Sequence, residues 1–229
     1  MDDALYFTEQ HQAVREMVRT FAQAEVAPVA GPLDESAEFP WENVKRMGEL
    51  GLLGVPWPEE YGGAGFDLMS YIIAIHEMAK VDASHAITIS AHTTLGTSPI
   101  WYFGNEEQKR RFVPLLASGK VLGGFGLTEE GAGSDAGGTR TTAVRRNGHY
   151  VLNGSKRFIT HGGVGEVFVV TAVTDPSKGN KGISSFILTK DTTDLEKVKE
   201  LGIGHDESLP KMVGFRSGKK EDKLGWRAS

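Results

Sequence analysis

The sequence predicts an α+β protein, in which an all-helical N-terminal domain is followed by a β domain of the barrel-like or sandwich type. Two observations support this fold class. Apolar residues recur at helical spacing through residues 1–120, whereas short runs of strand-forming residues follow from residue 121 onward. Asn-Gly pairs, typical of tight turns in β-hairpins, begin at Asn147 and Asn153 and occur only in the second part. The order of these patterns predicts two domains, 1–120 and 121–229.

The helical part of the chain is divided by capping residues and by a link rich in proline and glycine. Thr8 can cap the first helix, which carries an apolar stripe. A second helix starts at a Phe-Pro-Trp tripeptide, because proline is tolerated in a first turn, and ends at Gly51. The link spans residues 56–65. Beyond it we expect further apolar helices, one of them over residues 84–102, and a last helix capped by Asn105.

The β domain is predicted from its turns and its apolar runs. Both Asn-Gly pairs predict hairpins between short alternating segments. Two longer apolar runs, Glu166–Val173 and Ile183–Thr189, are typical of buried strands, and the polar loop 175–181 separates them. We therefore expect several short strands joined by tight turns and two longer strands inside the domain.

Composition and charge are those of an ordinary globular protein and exclude several functional classes. Of 229 residues, 39% are hydrophobic and 24% are charged, and the net charge of −5 provides no basic surface for nucleic acid or for an anionic membrane. Because the chain has no cysteine, disulfides, thiolate nucleophiles and cysteine metal sites are excluded. The N-terminus has no secretory pattern, and no stretch approaches the ~20 apolar residues of a membrane span, so we expect a cytoplasmic protein.

The most informative stretch is a glycine-rich turn after a short apolar strand, residues 125–135, with the sequence Phe-Gly-Leu-Thr-Glu-Glu-Gly-Ala-Gly-Ser-Asp. Gly131 and Gly133 lack a Cβ atom, so a ligand can approach the backbone N–H groups, and successive N–H groups in such a turn suit a pyrophosphate. A Walker loop is excluded because no Gly-Lys-Ser/Thr follows. The Rossmann spacing is formally met with Ala136, but residues 137–144 favour a strand where that fingerprint needs a helix.

With this stretch, the chain resembles the acyl-CoA dehydrogenase family of flavoenzymes. Residues 126–135 match the signature of that family: Gly-Leu-Thr-Glu, two residues, then Ala-Gly-Ser-Asp. A second block, residues 150–160, follows at the expected distance, and a third, residues 219–229, is similar to the run before the last β-domain strands. The family pattern continues with a C-terminal helical bundle. We therefore interpret the chain as the N-terminal and middle domains, with the bundle absent.

The resemblance implies an FAD-dependent acyl-CoA dehydrogenase of fatty acid β-oxidation. Such an enzyme removes a proton from Cα of a short- to medium-chain acyl-CoA and transfers a hydride from Cβ to N5 of the flavin. The implied partners are an electron-transfer flavoprotein and further copies of the chain, four at full length. The glutamate base of the family belongs to the C-terminal bundle. No residue here is therefore predicted to be catalytic, and the chain alone is expected to be inactive.

By the resemblance, two segments of this chain hold the flavin ring. Thr128 and Thr160 match the two threonines beside the ring, where a hydroxyl can donate to the N5/O4 edge as negative charge develops. Shielding and backbone groups would come from the residues next to them: Phe125, Gly126, Leu127, Phe158 and Ile159. The family often has tryptophan at the position of Phe158. Each of these residues also fits a purely structural role, in a strand or in the core.

The glycine-rich turn and a later loop are implied to hold the nucleotide parts of the ligands. Gly133 and Ser134 would reach the phosphates of FAD, and Ser134 would also contact the CoA part of the substrate. Asn180 is a further candidate for a contact with CoA. A glycine turn between two strands and a solvated loop asparagine are the structural alternatives.

Three carboxylates and the histidines are further candidates for chemistry. Glu129 and Asp135 flank a loop suited to phosphates, so we expect them to brace the turn by accepting backbone N–H groups. Glu77 lies in an apolar stripe and would have a raised pKa if buried alone, but a partner such as Lys80 explains it equally. The seven histidines have no metal-ligand spacing, and no metal site is predicted.

Two alternative functions stay open from the sequence. An oxidase on the same scaffold would use the same site and would differ in how fast its reduced flavin reacts with oxygen. A non-catalytic module that binds FAD, CoA or a second polypeptide would explain the missing base. A helical domain without its usual neighbour would also expose apolar surface within residues 72–100, which favours association.

Overall fold

The computed structural model describes residues 7–146, 148–189, 211–216 and 226–227. The chain divides into two compact units between Val121 and Leu122. A helical unit comes first and a unit of mixed β-sheet follows, so the predicted fold class is confirmed. Most of the third sequence block, residues 219–229, lies outside the described residues, and only its short strand at 226–227 is placed.

The helical unit is built from α-helices, several of which begin at a side-chain cap. Their bounds are α1 Glu9–Phe21, α2 Ala27–Ser36, α3 Trp41–Glu49, α4 Leu68–Ala79, α5 Ala83–Ala91, α6 Ser98–Phe103 and α7 Glu106–Ala117. The predicted N-caps are confirmed: Thr8 Oγ1 accepts the N–H of His11 at 3.2 Å, and Asn105 Oδ1 accepts that of Gln108 at 2.8 Å. Each cap satisfies a donor that the first turn of a helix leaves without a partner.

The helix predicted over residues 84–102 is interrupted by a π-helical stretch, His92–Thr97. Pro99 provides the reason, because it has no N–H to donate to the carbonyl one turn earlier. The hydroxyls of Thr97 and Ser98 donate instead to carbonyls within the stretch, both at 3.0 Å. Side chains therefore supply hydrogen bonds that the regular helix cannot make here.

The core of the helical unit forms where α4 packs against α1 on one side and α5 on the other. Burial of apolar surface is the main stabilising contribution of such packing. The innermost side chains come from most of the helices and their links: Val18, Met47, Leu53, Met78, Ile89 and Leu116. Among the described residues, no helix has both the length and the apolar character that crossing a membrane requires.

The β unit is organised around one long strand. Its strands are β1 Gly123–Gly126, β2 Thr142–Arg146, β3 His149–Asn153, β4 Lys156–Arg157, β5 Val167–Val173, β6 Ile183–Thr189, β7 Lys211–Arg216 and β8 Trp226–Arg227. β5 pairs antiparallel with β6 along its length, and its other edge pairs in parallel with β1 and, at Val173, with β2. β2 continues antiparallel to β3, which pairs in parallel with β7. β4 and β8 form a separate parallel pair.

The two Asn-Gly pairs have different outcomes. The first forms the predicted hairpin, since Arg146 of β2 lies opposite His149 of β3 and Gly148 adopts φ 80° between them. The hairpin predicted at the second pair is wrong, because β4 pairs with β8 and not with β3. A Cβ atom on Gly154 would lie 2.4 Å from Thr141 Oγ1. This glycine is therefore needed for a close approach of two segments and not for a turn.

The core of the β unit is formed by alternate residues of the central strands. Because successive side chains of a strand point to opposite faces, each strand contributes every second residue. The buried cluster contains Ala143, Leu152, Ile159, Phe168, Val170, Ala172, Phe186 and Leu188. Tyr150 packs against it, with its ring edge-on to that of Phe186 at 5.1 Å between centroids. This core supports the segments that carry the predicted site residues.

Candidate functional site

The glycine-rich turn is closed at its base and open at its tip. Glu129 and Ala132 exchange two backbone hydrogen bonds, of 3.0 and 3.2 Å. Beyond them, Gly131, Gly133 and Ser134 are exposed, and a Cβ atom on either glycine would meet no other atom within 4 Å. Within the described part of the chain, the N–H groups of Gly133 and Ser134 have no hydrogen-bond partner. An anion can therefore reach these N–H groups without displacing protein atoms.

The two predicted threonines lie on neighbouring segments that run in opposite directions. The N–H of Arg157 donates to the carbonyl of Thr128 at 2.8 Å. Gly124, four residues before Thr128, packs against Thr160 on the other segment. A Cβ atom on Gly124 would lie only 2.7 Å from the carbonyl oxygen of Thr160. His161 Nδ1 lies 2.9 Å from the carbonyl oxygen of Gly123 and donates to it. The structure thus brings both threonine segments together, with both side chains half-buried at its surface.

Phe158 stands out on the second segment because of its backbone and its exposure. It adopts φ 57°, a left-handed conformation that is uncommon for a bulky residue, and its side chain is 70% exposed. Such backbone outliers concentrate at ligand sites. Ile159 points the other way and belongs to the buried core cluster. Phe158 can therefore offer an aromatic face to a ligand, whereas Ile159 can contribute only its backbone.

The remaining predicted residues lie around the same turn. Phe125 and Leu127 are half-buried, and Gly126 is buried at the end of β1. Asn180 is exposed in the 3-10 turn before β6, and its Oδ1 would lie 2.5 Å from a Cβ atom on Gly137. Asn180 thus touches the far end of the glycine-rich loop. The structure brings all the predicted residues to one region of the β unit.

A buried ion pair beneath this region was missed by the sequence analysis. Lys156 is only 1% exposed, and its Nζ lies 2.7 Å from Glu129 Oε1. Three further acceptors surround Nζ: the carbonyl of Leu127 at 3.0 Å and the hydroxyl oxygens of Thr139 at 2.9 Å and Thr171 at 3.2 Å. Both hydroxyl protons are used elsewhere, since Thr139 donates to Glu129 and Thr171 to a backbone carbonyl of β1. Nζ therefore faces acceptors only, as an ammonium requires.

Glu129 is held at both oxygens. Oε1 accepts the N–H and the hydroxyl of Thr141, at 3.0 and 2.6 Å, besides its bonds from Lys156 and Thr139, and Oε2 accepts the N–H of Arg140 at 2.7 Å. Burial alone would raise the pKa of Glu129, but the hydrogen bonds from Lys156, Thr139 and Thr141 outweigh it and lower the pKa to about 2. Burial lowers the pKa of Lys156, and the carboxylate of Glu129 opposes that effect. Glu129 is therefore an ionised brace of the loop, as predicted.

Two other predictions about carboxylates have clear outcomes. The Asp135 side chain is exposed and accepts no hydrogen bond from the described residues, so its predicted bracing role is wrong. Glu77 is buried, and Lys80 lies 2.7 Å from it and Arg19 lies 3.2 Å from it. Burial alone would raise the pKa of Glu77, but hydrogen bonds from these two cations lower it, so a charged partner explains this residue. Across the described ranges, no three histidine or acidic side chains are grouped as a metal would need.

Two domain models of one family together match nearly all of the chain. The first is the acyl-CoA dehydrogenase N-terminal domain, which matches residues 8–120, and the second is the acyl-CoA dehydrogenase middle domain, which matches residues 124–229. The chain belongs to the acyl-CoA dehydrogenase family. The glycine-rich turn and both threonine segments of this acyl-CoA dehydrogenase chain fall within the middle-domain match.

Curated relatives agree with this assignment. An acyl-CoA dehydrogenase of Bacillus subtilis is 48% identical over 221 residues, which are 96% of this chain and 53% of that protein. A short-chain specific acyl-CoA dehydrogenase of Clostridium acetobutylicum is 47% identical over 222 residues, which are 97% of this chain and 53% of that protein. The chain thus spans about half the length of the curated relatives it matches.

Solved structures have the same fold. Butyryl-CoA dehydrogenase from Megasphaera elsdenii matches with a TM-score of 0.78 and 43% identity, over 81% of this chain and 50% of that one. An acyl-CoA dehydrogenase from Bacillus anthracis, solved in complex with FAD, matches with a TM-score of 0.76 and 41% identity, over 82% of this chain and 32% of that one.

Proposed function

We propose that this chain forms the FAD- and CoA-binding part of a short-chain acyl-CoA dehydrogenase, which oxidises the Cα–Cβ bond of an acyl-CoA. The observation that carries the proposal is the open tip of the glycine-rich turn beside Thr128. There, the N–H groups of Gly133 and Ser134 are free among the described residues and exposed to solvent. The similarity to a short-chain specific enzyme and to an FAD complex supports the choice of substrate and cofactor.

The residues present fit FAD on three counts. The free N–H groups at Gly133 and Ser134 suit a pyrophosphate, and no protein atom fills the space above Gly133. Thr128 and Thr160 offer hydroxyl donors on adjacent segments, as the polar edge of a flavin requires. The exposed ring of Phe158, held in a left-handed backbone conformation, offers an aromatic surface for stacking.

The chain's own residues would bind and orient the reactants. The chemistry supplied by bound FAD is acceptance of the hydride from Cβ. Thr128 and Thr160 would donate hydrogen bonds where negative charge develops during that transfer. Ser134 and Asn180 would contact the CoA part of the substrate, which holds the acyl chain in place.

The buried carboxylate of this site, Glu129, is not suited to take the proton from Cα. Glu129 is buried, its pKa is about 2, and both of its oxygens accept hydrogen bonds. A base must be free to accept a proton at working pH. The proposal therefore assigns the base to no residue of this chain, and we expect no turnover from the 229 residues alone. By the resemblance, the base belongs to a C-terminal helical bundle.

The proposal extends to partners and location. An electron-transfer flavoprotein would reoxidise the flavin, and copies of the chain would associate, as the resemblance implies. Several large apolar side chains of the helical unit are exposed and would favour association: Leu68, Ile72, Ile87, Leu95 and Phe103. A cytoplasmic location stays a prediction from the sequence.

FAD titration with a matched pair of glycine variants tests the proposal. Gly133→Ala and Gly163→Ala each place a methyl group where no atom of the chain lies within 4 Å, so both should keep the wild-type stability. Only the first methyl group would collide with a bound phosphate. We expect FAD to bind the wild-type chain, G133A to weaken binding by about tenfold, which is ~1.4 kcal/mol, and G163A to leave it unchanged. A wild-type chain that binds no FAD, or a G133A chain that binds it equally well, would contradict the proposal.

A further inference from the structure

The buried pair of Lys156 and Glu129 lies beneath the proposed site without being exposed in it. The side chain of Lys156 is 0% exposed and that of Glu129 is 9% exposed. Neither residue can contact a large ligand bound at the surface. Both nevertheless bond to the segments on which the ligand would rest, so their role must be argued from those segments.

Glu129 ties the two ends of the glycine-rich loop together. The residue itself leads into the loop, and its carboxylate accepts the N–H groups of Arg140 and Thr141, where the loop ends, at 2.7 and 3.0 Å. The intervening residues 130–138 include Gly133 and Ser134, whose N–H groups have no partner among the described residues. Since the open tip has few bonds of its own, the conformation of the loop depends on the bonds at its ends.

Lys156 bonds to the residues on both sides of Thr128. Its Nζ donates to the carbonyl of Leu127 at 3.0 Å and to the carboxylate of Glu129 at 2.7 Å. The carbonyl of Thr128 itself accepts the N–H of Arg157, the residue after Lys156, at 2.8 Å. The position of Thr128 is therefore fixed by three consecutive bonds from one short strand, β4.

The same lysine links these segments to the central strand. Nζ donates to the hydroxyl of Thr171 in β5, and that hydroxyl donates to the carbonyl of Gly126 at the end of β1. The start of the loop, the end of the loop and the strand before Phe158 are thus attached to one buried ammonium. An apolar core could pack these strands as stably, because a buried ion pair often contributes little net stability. The pair specifies instead where polar backbone groups lie.

We propose that Lys156 and Glu129 are positioning residues for the flavin site. They hold the hydroxyl of Thr128 and the open N–H groups at Gly133 and Ser134 in the arrangement that binds FAD. The inference rests on the proposed function, since the positioned groups are those assigned there to FAD. Removal of the pair should therefore weaken FAD binding and shift the reduction potential of bound FAD even where the fold persists.

The central test is the double variant Glu129→Gln with Lys156→Met, which removes both charges and leaves neither unpaired. Its control is Glu77→Gln with Lys80→Met, which removes a pair of the same type from the helical unit. Each protein is assayed by urea unfolding, by FAD titration and by the reduction potential of the bound FAD. We expect E129Q/K156M to raise the Kd for FAD by about tenfold or more and to shift the potential, as loss of supporting partners does at other sites. E77Q/K80M should leave the Kd and the potential unchanged.

Hydrogen exchange followed by mass spectrometry separates this inference from the proposed function, because it needs no FAD. We expect E129Q/K156M to exchange faster in peptides that cover residues 127–141 and 157–161, with β5 and β6 unchanged. Uniformly faster exchange would indicate a merely structural pair and would overturn the inference. A wild-type chain without FAD affinity overturns the proposed function, and the exchange pattern still decides the positioning role.

Two further variants keep the inference testable if the double variant does not fold. Thr141→Val removes one hydroxyl donor to Glu129 at 2.6 Å and leaves the charges balanced. Lys156→Arg keeps the charge at the same place. We expect T141V to weaken FAD binding in a folded protein and K156R to retain part of the affinity that is lost without the cation. Unchanged Kd and potential in E129Q/K156M, or in T141V if the double variant does not fold, would overturn the positioning role.

Discussion

In the part of the chain that the structure describes, each unit contains one buried carboxylate with a lysine partner, and the two pairs differ in where the cation lies. Glu77, in the helical unit, has a side chain 3% exposed, but Lys80 and Arg19 are 48% and 57% exposed. Glu129, in the β unit, pairs with a lysine whose side chain is 0% exposed. Water screens the first pair from the cation side and cannot screen the second.

This difference indicates different roles for residues of the same types. Lys80 pairs with Glu77 within one turn at the end of α4, and Arg19 of α1 also donates to Glu77, so this carboxylate links two helices that pack against each other. The second pair bonds to backbone groups at the ends of a loop in which the N–H groups of Gly133 and Ser134 have no partner among the described residues. The helical pair is thus one contribution to packing among many, whereas the pair in the β unit determines the local conformation.

The largest expected difference between the two pairs is in the free energy of unfolding that is lost when the lysine is replaced. Lys156→Met leaves the carboxylate of Glu129 buried without its cation, and removal of one partner of a buried pair typically costs about 3–5 kcal/mol. Lys80→Met leaves Arg19 beside Glu77 and removes an exposed cation, which should cost at most about 1 kcal/mol. Urea unfolding at neutral pH measures both values. Equal losses of unfolding free energy in the two variants would contradict the proposed difference in screening between the two pairs.

The next largest expected effect is the loss of folding stability when acid protonates Glu129. The pKa of Glu129 is about 2 in the folded chain and 4.5 without its interactions, so its stabilisation is complete above pH 4.5 and is lost as the pH falls towards 2. This shift corresponds to about 3 kcal/mol. Wild-type stability should therefore fall more steeply than that of Glu129→Gln between pH 4.5 and 2.

Glu77→Gln is the comparison for the acid experiment. The pKa of Glu77 is also lowered, so its stabilisation is lost in the same direction as the pH falls. We expect a smaller difference from wild type than for E129Q, since its cations are exposed. Identical acid profiles of wild type and E129Q, measured by urea unfolding at several pH values, would contradict the assignment of Glu129 as an ionised brace.

A histidine pair extends the comparison to mild acid. Burial lowers the pKa of His161, and its bond to the carbonyl of Gly123 offsets this only in part. The unfolded chain therefore binds more protons than the folded chain below pH 6.5, and stability falls as the pH decreases through this range. His161→Asn should reduce the fall between pH 7.5 and 5.5, and His76→Asn, at an exposed position of the helical unit, is its matched control. Urea midpoints at the two pH values measure the effect.

The smallest expected effect on stability concerns two residues with a left-handed backbone conformation, one in each unit. Phe158 has φ 57° and Ala37, at the end of α2, has φ 55°, and both are exposed. Glycine removes the steric cost of this conformation, so Phe158→Gly and Ala37→Gly should each stabilise the fold by up to about 1 kcal/mol. Only F158G should weaken FAD binding, because only Phe158 is assigned to the flavin. If F158G gains stability and keeps full affinity, its aromatic face has no role in binding.

The elements that sequence predicts well here are those specified by local chemistry. Thr8 and Asn105 cap helices because a side-chain oxygen three residues before a free N–H is a local arrangement. The glycine-rich turn and the bracing role of Glu129 follow similarly from residue types within one loop. The π-helical stretch before Pro99 was not predicted, although proline after a hydroxyl-rich segment is a signal that could have indicated it.

Lys156 could not be predicted because its partners are distant in sequence. Its acceptors lie at residues 127, 129, 139 and 171 and meet only when β1, β4 and β5 come together. Strand alternation would put Lys156 and Phe158 on the same face. The left-handed backbone at Phe158 changes the chain direction, so the lysine is buried and the aromatic ring is exposed. The hairpin at Gly154 was wrong for a similar reason, since the close approach of Thr141 is not visible locally.

The most direct test of the account is FAD titration with the two threonines that it assigns to the flavin. Thr128→Val and Thr160→Val remove one hydroxyl each, and Thr142→Val makes the same change at an exposed position of β2. With each hydrogen bond worth about 1 kcal/mol, the account predicts that the T128V/T160V chain binds FAD about tenfold or more weakly than wild type, with T142V unchanged. Wild-type affinity in the T128V/T160V chain would contradict the flavin site itself.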